Sequence, residues 1–149
     1  MKNNKGFSLV ELIIVIAIMA VLVGVLAPTY LQYVEKSKKS NDVSTVDSVI
    51  NAVEIAAIDP EVMTDDTESL KITFSTSSMQ IDDEDCAWAK AIRAAVGNDV
   101  KLKSTNWEGN VVIDASRVRA TGSVAFEYAD GSSEPFQKYA TALTKVKNS

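Results

Sequence analysis

One acidic side chain stands alone in an uncharged stretch near the start of the chain. Glu11 is the single charged residue in residues 7–28. Near the middle of a helix in lipid, a carboxylate costs about 2.5–3.5 kcal/mol, so such a residue usually has a partner and a function. Cleavage after Gly6 would create a partner, because the new α-amino group of Phe7 lies about one helical turn from Glu11. These residues therefore allow a carboxylate–ammonium pair, within one chain or between identical chains.

The stretch around Glu11 has the length and composition of a membrane-spanning helix. As a helix, residues 7–28 span about 30 Å, the thickness of the hydrocarbon core of a bilayer. Lys2 and Lys5 precede this stretch, so the positive-inside rule places the N-terminus in the cytoplasm. A secretory signal peptide has a shorter apolar core, a plain signal anchor gives Glu11 no role, and a buried core helix carries more polar residues. We expect a single span in the cytoplasmic membrane.

The residues around Glu11 also carry a resemblance to a known family. Residues 5–12, Lys-Gly-Phe-Ser-Leu-Val-Glu-Leu, resemble the class III leader and cleavage site of type IV pilins and of the pseudopilins of type II secretion. The resemblance implies cleavage between Gly6 and Phe7 by a prepilin peptidase, and N-methylation of Phe7 by the same enzyme. Methylation preserves the positive charge of the amine, so its pairing with the Glu11 of a neighbouring subunit is retained.

Two residues near the end of the span predict a weak point in the helix. Pro28 removes one backbone hydrogen bond, and Gly24 lowers helix stability by about 1 kcal/mol. Pro28 also stands where pilins of the resembling family carry a helix-bending proline. We therefore predict a helix bend at Gly24 and Pro28, with a simple helix end at Pro28 as the alternative.

Helical periodicity resumes beyond Pro28. Apolar residues recur there at spacings of three and four: Val43, Val46, Ile50, Val53 and Ala57,. The helix should end near Ile58, because the residue before Pro60 avoids the helical conformation. The chain is thus predicted to have four parts: a leader of residues 1–6, a transmembrane and filament-core helix of residues 7–28, the amphipathic half of the same helix in residues 29–58, and a globular head of residues 59–149 packed on residues 40–58.

The predicted fold class is α+β and pilin-like, with the long N-terminal helix packed on a small antiparallel sheet of three to four strands. Strands are expected at residues 70–74, 100–104, 111–115 and 123–129. A second helix is expected at residues 82–96, with four acids at its start. A short C-terminal helix should carry apolar residues at helical spacing: Phe136, Tyr139, Ala140, Leu143 and Val146.

Composition excludes most catalytic and metal chemistry. The chain has no histidine and one cysteine, Cys86, which excludes a Ser-His-Asp triad, a His-ligated zinc and an intrachain disulfide. The acids at residues 82–85 are interpreted as helix caps, since they lack the spacing of a calcium loop. Major pseudopilins carry a calcium loop near their C-terminal end, but Asp130 and Glu134 are interpreted as turn residues. We expect no enzyme, no metal and no cofactor.

Charge and resemblance together give the expected function. Beyond Pro28 the chain carries 13 Lys/Arg against 19 Asp/Glu, which argues against nucleic acid as its main partner. The resemblance implies a structural subunit of a type IV pilus-like filament, in the cytoplasmic membrane before assembly and at the cell surface afterwards. Its implied partners are identical subunits, the prepilin peptidase, an assembly ATPase and a membrane platform protein.

Two alternatives and one basic segment remain open. The chain could be a type II secretion pseudopilin, or a pilin whose head binds surfaces, DNA or polysaccharide. Trp107, in an expected turn, is the best aromatic candidate for exposure, whereas Trp88 is expected in the core. The missing disulfide suits Gram-positive pilins and major pseudopilins alike. Lysines within residues 36–39 are interpreted as a solvated basic turn, with acidic lipid or an acidic neighbour as the alternative.

Overall fold

The structure is a computed structural model that describes residues 6–140 and 145–147. It divides into two compact units, one ending at Ser37 and one beginning at Lys38. A single helix, α1 (Leu9–Ala57), begins in the first unit and ends in the second. Pro28 lies inside α1, so the alternative of a helix end at that residue is wrong.

The first unit consists of the N-terminal part of α1. Residues 6–33 are all exposed, and most of them are large and apolar. An apolar helix satisfies its own backbone hydrogen bonds but buries none of its side chains here. Its side chains therefore have no core of their own.

The second unit has a core built against the C-terminal part of α1. The buried residues of α1 recur at spacings of one helical face: Asp42, Val46, Val49, Ile50, Ala52, Val53, Ala56 and Ala57,. Four of the five predicted stripe residues are among them, and Val43 packs against the same core while half-buried. α1 ends at Ala57, and a short helix α2 (Pro60–Met63) follows, with Asp59 as its N-cap.

A five-stranded sheet covers this core. Its strands are β1 (Ser69–Phe74), β2 (Met79–Ile81), β3 (Val111–Val118), β4 (Ser123–Tyr128) and β5 (Val146–Lys147). Their order is β2-β1-β3-β4-β5, in which the first four are antiparallel and β5 is parallel to β4. Burial alternates along β3, so one face of the sheet contacts the core,. The predicted α+β class is confirmed, and β5 adds a parallel edge strand.

Two further helices complete the second unit, and both differ from the prediction. Helix α3 (Ala87–Val96) begins five residues later than expected, with Cys86 rather than an acid as its N-cap. Helix α4 (Glu134–Tyr139) is short. Val146 lies in β5 rather than in a C-terminal helix, because its apolar side chain is buried beside β4, and Leu143 lies outside the described residues.

The strand predicted at residues 100–104 is wrong. Its alternation of apolar and charged residues is typical of a strand, but its backbone amides form hydrogen bonds other than those of a paired strand. Leu102 N–H donates to the carbonyl of Ser75 at 2.9 Å, and the amides of Lys103 and Ser104 donate to the carboxylate of Asp42. The sequence also gave no sign of β2, which is only three residues long.

Candidate assembly site

Glu11 takes part in a capping box at the start of α1. The backbone N–H of Ser8 donates to Oε2 of Glu11 at 2.9 Å, and the N–H of Val10 donates to Oγ of Ser8 at 3.3 Å. A Ser followed three residues later by Glu, just before an apolar run, is the sequence signature of this cap. The sequence therefore carried a signal that the charge-pair interpretation of Glu11 overlooked.

The capping box uses only part of the Glu11 carboxylate. Within residues 6–140 and 145–147, Oε1 of Glu11 accepts no hydrogen bond, and the side chain is exposed. A carboxylate offers about four lone-pair positions, and the partial positive charge of the helix N-terminus stabilises its negative charge. Phe7, 94% exposed, immediately precedes the capping residue Ser8. The site thus holds an oriented carboxylate, and its Oε1 can accept a hydrogen bond from another molecule.

The helix behind this carboxylate presents an apolar surface on all sides. Its large exposed side chains include Leu9, Val10, Leu12, Ile13, Ile14, Val15, Ile16, Ile18, Met19, Val21, Leu22, Val23, Val25 and Leu26. By length and composition alone, α1 could cross a membrane near its N-terminal end. Such a surface requires either lipid or other helices to cover it.

Gly24 and Pro28 lie on consecutive turns of this helix. In an α-helix the N–H of residue 28 would donate to the carbonyl of residue 24, and proline has no N–H to donate. The Gly24 carbonyl therefore lacks its helical donor. A Cβ added at Gly24 meets nothing within 4 Å among the described residues, so close packing in this chain does not require glycine there.

Trp107 is buried, and the expectation that it is exposed is wrong. Only 4% of its surface is accessible. Its Nε1 donates to Oδ2 of Asp42 at 2.7 Å, and its ring meets Phe136 edge-on with a centroid distance of 4.9 Å. Nζ of Lys39 lies 4.9 Å from the same ring centroid. A side chain held on several sides cannot stack on a sugar or a base, so the proposed adhesin surface loses its main residue.

The partner of Trp107, Asp42, is a residue whose role the sequence did not reveal. Asp42 lies on α1 and is fully buried. Its carboxylate accepts from the amide of Lys103 at 2.6 Å, from the amide of Ser104 at 2.9 Å and from Trp107. Burying a carboxylate is costly unless it is hydrogen-bonded, and three donors satisfy this one. Asp42 therefore fastens residues 103–107 to α1.

A second polar contact fastens the connection between α1 and β1. The Arg117 guanidinium donates to the carbonyls of Val62, Asp65 and Thr67. The Asp65 carboxylate accepts from the amides of Thr67, at 2.8 Å, and Ala87, at 2.7 Å. Hydrogen bonds from Thr67, then from Ala87, lower the pKa of Asp65 from 3.8 to about 2. Because Ala87 begins α3, Asp65 links this connection to that helix.

The remaining predicted residues have structural positions. Cys86 is buried, and its Sγ accepts from the amide of Ala89. Trp88 is fully buried as expected, and its Nε1 donates to the carbonyl of Val53 at 3.1 Å. Glu134 pairs with Lys138. Across the described residues, no group of three or more Cys, Asp or Glu side chains is arranged to hold a metal ion.

The N-terminal segment matches one family model. Residues 1–27 match the family described as the prokaryotic N-terminal methylation motif. The match includes Gly6, Phe7 and Glu11, the residues around the capping box. The first turn of α1 and most of the exposed apolar helix thus lie within the segment that matches this family model.

Several similar proteins are named as fimbrial proteins. The chain is 28% identical over 118 residues to the type IV major fimbrial protein FimA of Dichelobacter nodosus, covering 76% of this chain and 72% of that protein. It is 37% identical over 59 residues to a fimbrial protein of Pseudomonas aeruginosa, covering 40% and 38%. It is 33% identical over 82 residues to the prepilin peptidase-dependent protein A of Clostridium perfringens, covering 54% and 58%.

These similarities confirm the resemblance to type IV pilins. The chain spans less than half the length of the Pseudomonas fimbrial protein that it matches. No solved structure matches it.

Proposed function

We propose that the chain is a structural subunit of a type IV pilus-like filament. In this proposal it is held in the cytoplasmic membrane before assembly and lies at the cell surface afterwards. The observation that carries the proposal is the N-terminal methylation motif, found on a helix whose first 25 residues expose their apolar side chains. Lipid covers that surface first, and the helices of other copies cover it in the filament.

Processing would complete the site at the start of α1. Cleavage after Gly6 releases the amine of Phe7, which is then N-methylated and keeps its positive charge. Gly6 and Phe7 are exposed and precede α1, so the cleaved bond is accessible to a peptidase. The Ser8 amide holds Oε2 of Glu11 in place, while Oε1 receives the ammonium of a neighbouring copy.

The charge pair would set how far one helix lies along the next. Two opposite charges removed from water together in an apolar bundle relieve each other's desolvation cost. Any shift along the axis would leave both charges unpaired. The turn at Gly24 and Pro28, which lacks one backbone hydrogen bond, allows each helix to bend as it leaves the membrane.

The partners in this proposal are identical subunits, a prepilin peptidase, an assembly ATPase and a membrane platform protein. The globular head, residues 59–149, coats the fibre and performs no catalysis. A pseudopilin of type II secretion shares the same N-terminus and is separated from a surface pilin by where the processed chain is found.

Mass spectrometry of the N-terminal peptide tests the proposal. Fibres sheared from cells and the membrane fraction are analysed separately, with Gly6→Ala as the matched control that should remain uncleaved. We expect a chain that begins at N-methyl-Phe7 in the sheared fraction. The same terminus confined to membranes would favour a pseudopilin, and an intact Met1 in both fractions would contradict the proposal.

A further inference from the structure

Two exposed tyrosines follow the apolar part of α1. Tyr30 is 68% exposed and Tyr33 is 69% exposed, and their spacing of three residues places them on the same face of the helix. Residues 8–29 contain no aromatic residue. The aromatic rings of this part of α1 therefore begin just beyond Pro28, where the purely apolar sequence ends.

The uncharged part of α1 is longer than the hydrocarbon layer that it would cross. Residues 12–34 carry no charge, and as a helix they span about 34 Å. The hydrocarbon core of a bilayer is about 30 Å thick. Hydrophobicity alone therefore allows the helix to lie at several depths, and the residues at the two ends of the run decide between them.

The spacing of Glu11 and Tyr30 matches the thickness of the hydrocarbon core. Tyr30 lies 19 positions after Glu11, which is about 28 Å along the helix axis. Helical side chains lean toward the N-terminus, and the Glu11 carboxylate does so, because it accepts from the amide of Ser8 at 2.9 Å. One helix can thus place the carboxylate at the inner boundary of the bilayer and the Tyr30 ring at the outer boundary.

We propose that Tyr30 and Tyr33 bind the outer phospholipid head-group layer and so fix the depth of α1, with hydrocarbon covering residues 12–29. The inference rests on the proposed function, since it concerns the chain in the membrane before assembly. Tyrosine suits this layer because its ring is apolar and its hydroxyl is polar, and it is enriched at membrane–water interfaces. The layer is the outer one because Lys2 and Lys5 hold the other end in the cytoplasm.

This depth removes Glu11 from the hydrocarbon before assembly. A span of residues 7–28 would bury the carboxylate in lipid, whereas a span of residues 12–29 leaves it at the inner head groups, where water reaches it. A hydrated carboxylate does not need a partner. The cost of removing Glu11 from water then arises only when subunits assemble, at the step where the ammonium of a neighbour is present.

Spin-label depth measurements test the position of the helix. The full-length chain is inserted in phosphatidylcholine vesicles with one nitroxide label at a time, in a series of single variants from Ile16→Cys to Gly24→Cys. All carry Cys86→Ser, because Cys86 is the N-cap of α3 and serine can fill that role,. The accessibility of each label to oxygen and to a water-soluble nickel complex gives its depth.

The two possible spans predict different profiles. The centre of residues 12–29 lies between residues 20 and 21, and the centre of residues 7–28 lies between residues 17 and 18. We expect the deepest label at residue 20 or 21. A deepest label at residue 17 or 18 would overturn the inference.

Substitution of the tyrosines tests whether they set this depth. In a Tyr30→Ala, Tyr33→Ala double variant, the uncharged run should centre itself in the bilayer, so the deepest label should move to residue 23, about 4 Å along the helix. Leu31→Ala is the matched control, because Leu31 is 65% exposed between the two tyrosines and lacks a polar group. It should leave the profile unchanged. An unchanged profile in the double variant would overturn the role of the tyrosines.

The results separate this inference from the proposed function. Sheared fibres that begin at N-methyl-Phe7, together with a deepest label at residue 17 or 18, would overturn the depth alone. A deepest label at residue 20 or 21 in a chain that never forms fibres would support the depth and contradict the proposed function. Labels that the nickel complex reaches at every position would contradict both.

Discussion

Helix α1 carries one informative acid in each unit, and the two are used differently. Asp42, in the second unit, is fully buried, and the chain supplies every donor that satisfies it. Glu11, in the first unit, is exposed, and among the described residues it has one donor, the Ser8 amide. The Asp42 carboxylate, which accepts three hydrogen bonds within the chain, stabilises the fold. The Glu11 carboxylate, which has one oxygen without a described donor, is available for contacts in assembly.

The surfaces around the two acids differ in the same way. Apolar side chains near Asp42 pack into the core of the second unit, and those near Glu11 are exposed. Substitutions in the second unit should therefore change the free energy of unfolding. Substitutions in the first unit should change the yield of assembled fibres.

Removing Asp42 should produce the largest effect on stability. Asp42→Ala leaves two backbone amides and the Trp107 indole without an acceptor, so the free energy of unfolding should fall by about 4 kcal/mol. Urea denaturation of the full-length chain in detergent, followed by tryptophan fluorescence, measures this loss. Asp47→Ala, half-buried on the same helix, is the matched control and should change it by about 0.5 kcal/mol or less. Equal losses of unfolding free energy in the two variants would contradict the structural role given to Asp42.

Glu11 should show the opposite pattern. Glu11→Gln keeps an oxygen for the Ser8 amide but loses the charge, and unpairing the neighbour's ammonium should cost about 3 kcal/mol for each subunit. Fibre yield should fall about a hundredfold, with the urea transition of the second unit unchanged. Glu11→Leu, which also removes the cap acceptor, should assemble no better. Normal fibres built from Glu11→Gln alone would end the charge-pair proposal.

Asp65 should make the stability of the second unit depend on pH. Its pKa of about 2 lies below the ordinary 3.8, so its ionised form stabilises the folded chain above about pH 4, and this contribution is lost as pH falls toward 2. Asp65→Asn should lower stability at pH 7 by about 1–2 kcal/mol and reduce the loss of stability between pH 4 and 2. Thermal melts across this pH range measure both effects. An unchanged acid slope would contradict the role given to Asp65.

Gly24 should give the smallest effect. The Cβ of Gly24→Ala meets no neighbour in the part of the chain that the structure describes, and the substitution should stabilise the helix by about 1 kcal/mol. If assembly needs the loosened turn, fibre yield should fall about fivefold, while the stability of the second unit stays constant. Pro28→Ala should act in the same direction, because it restores a donor to the Gly24 carbonyl. Higher yields from both variants would show that the weak turn does not serve assembly.

Local signals in the sequence predicted the long helix and most of the sheet. The spacing of Val46, Ile50 and Val53 predicted the buried face of α1. Alternation of apolar and polar residues predicted β1, and turn signals between strands predicted β3 and β4. These features depend on residues within a few positions of one another. The capping box at Ser8 and Glu11 is equally local and could also have been predicted.

Features that depend on distant residues could not be predicted in this way. The donors to Asp42 lie 61 to 65 residues further along the chain, so a polar residue on a helix gave no sign of burial. The same contact explains why residues 100–104 do not form a strand and why Trp107 is buried. Near the C-terminal end, the spacing of Val146 from Tyr139 and Leu143 fits a helix. Its place in β5 depends on pairing with β4, which the local sequence does not indicate.

The hydrogen bonds from Trp107 to Asp42 and from Trp88 to the carbonyl of Val53 hold α1 at two levels. Eleven residues separate these levels, about 16 Å of helix. Sliding α1 by one turn against the rest of the second unit would break both sets of contacts at once. Under tension along the helix, the second unit should therefore resist as one body and give way in a single rupture rather than by stepwise slippage.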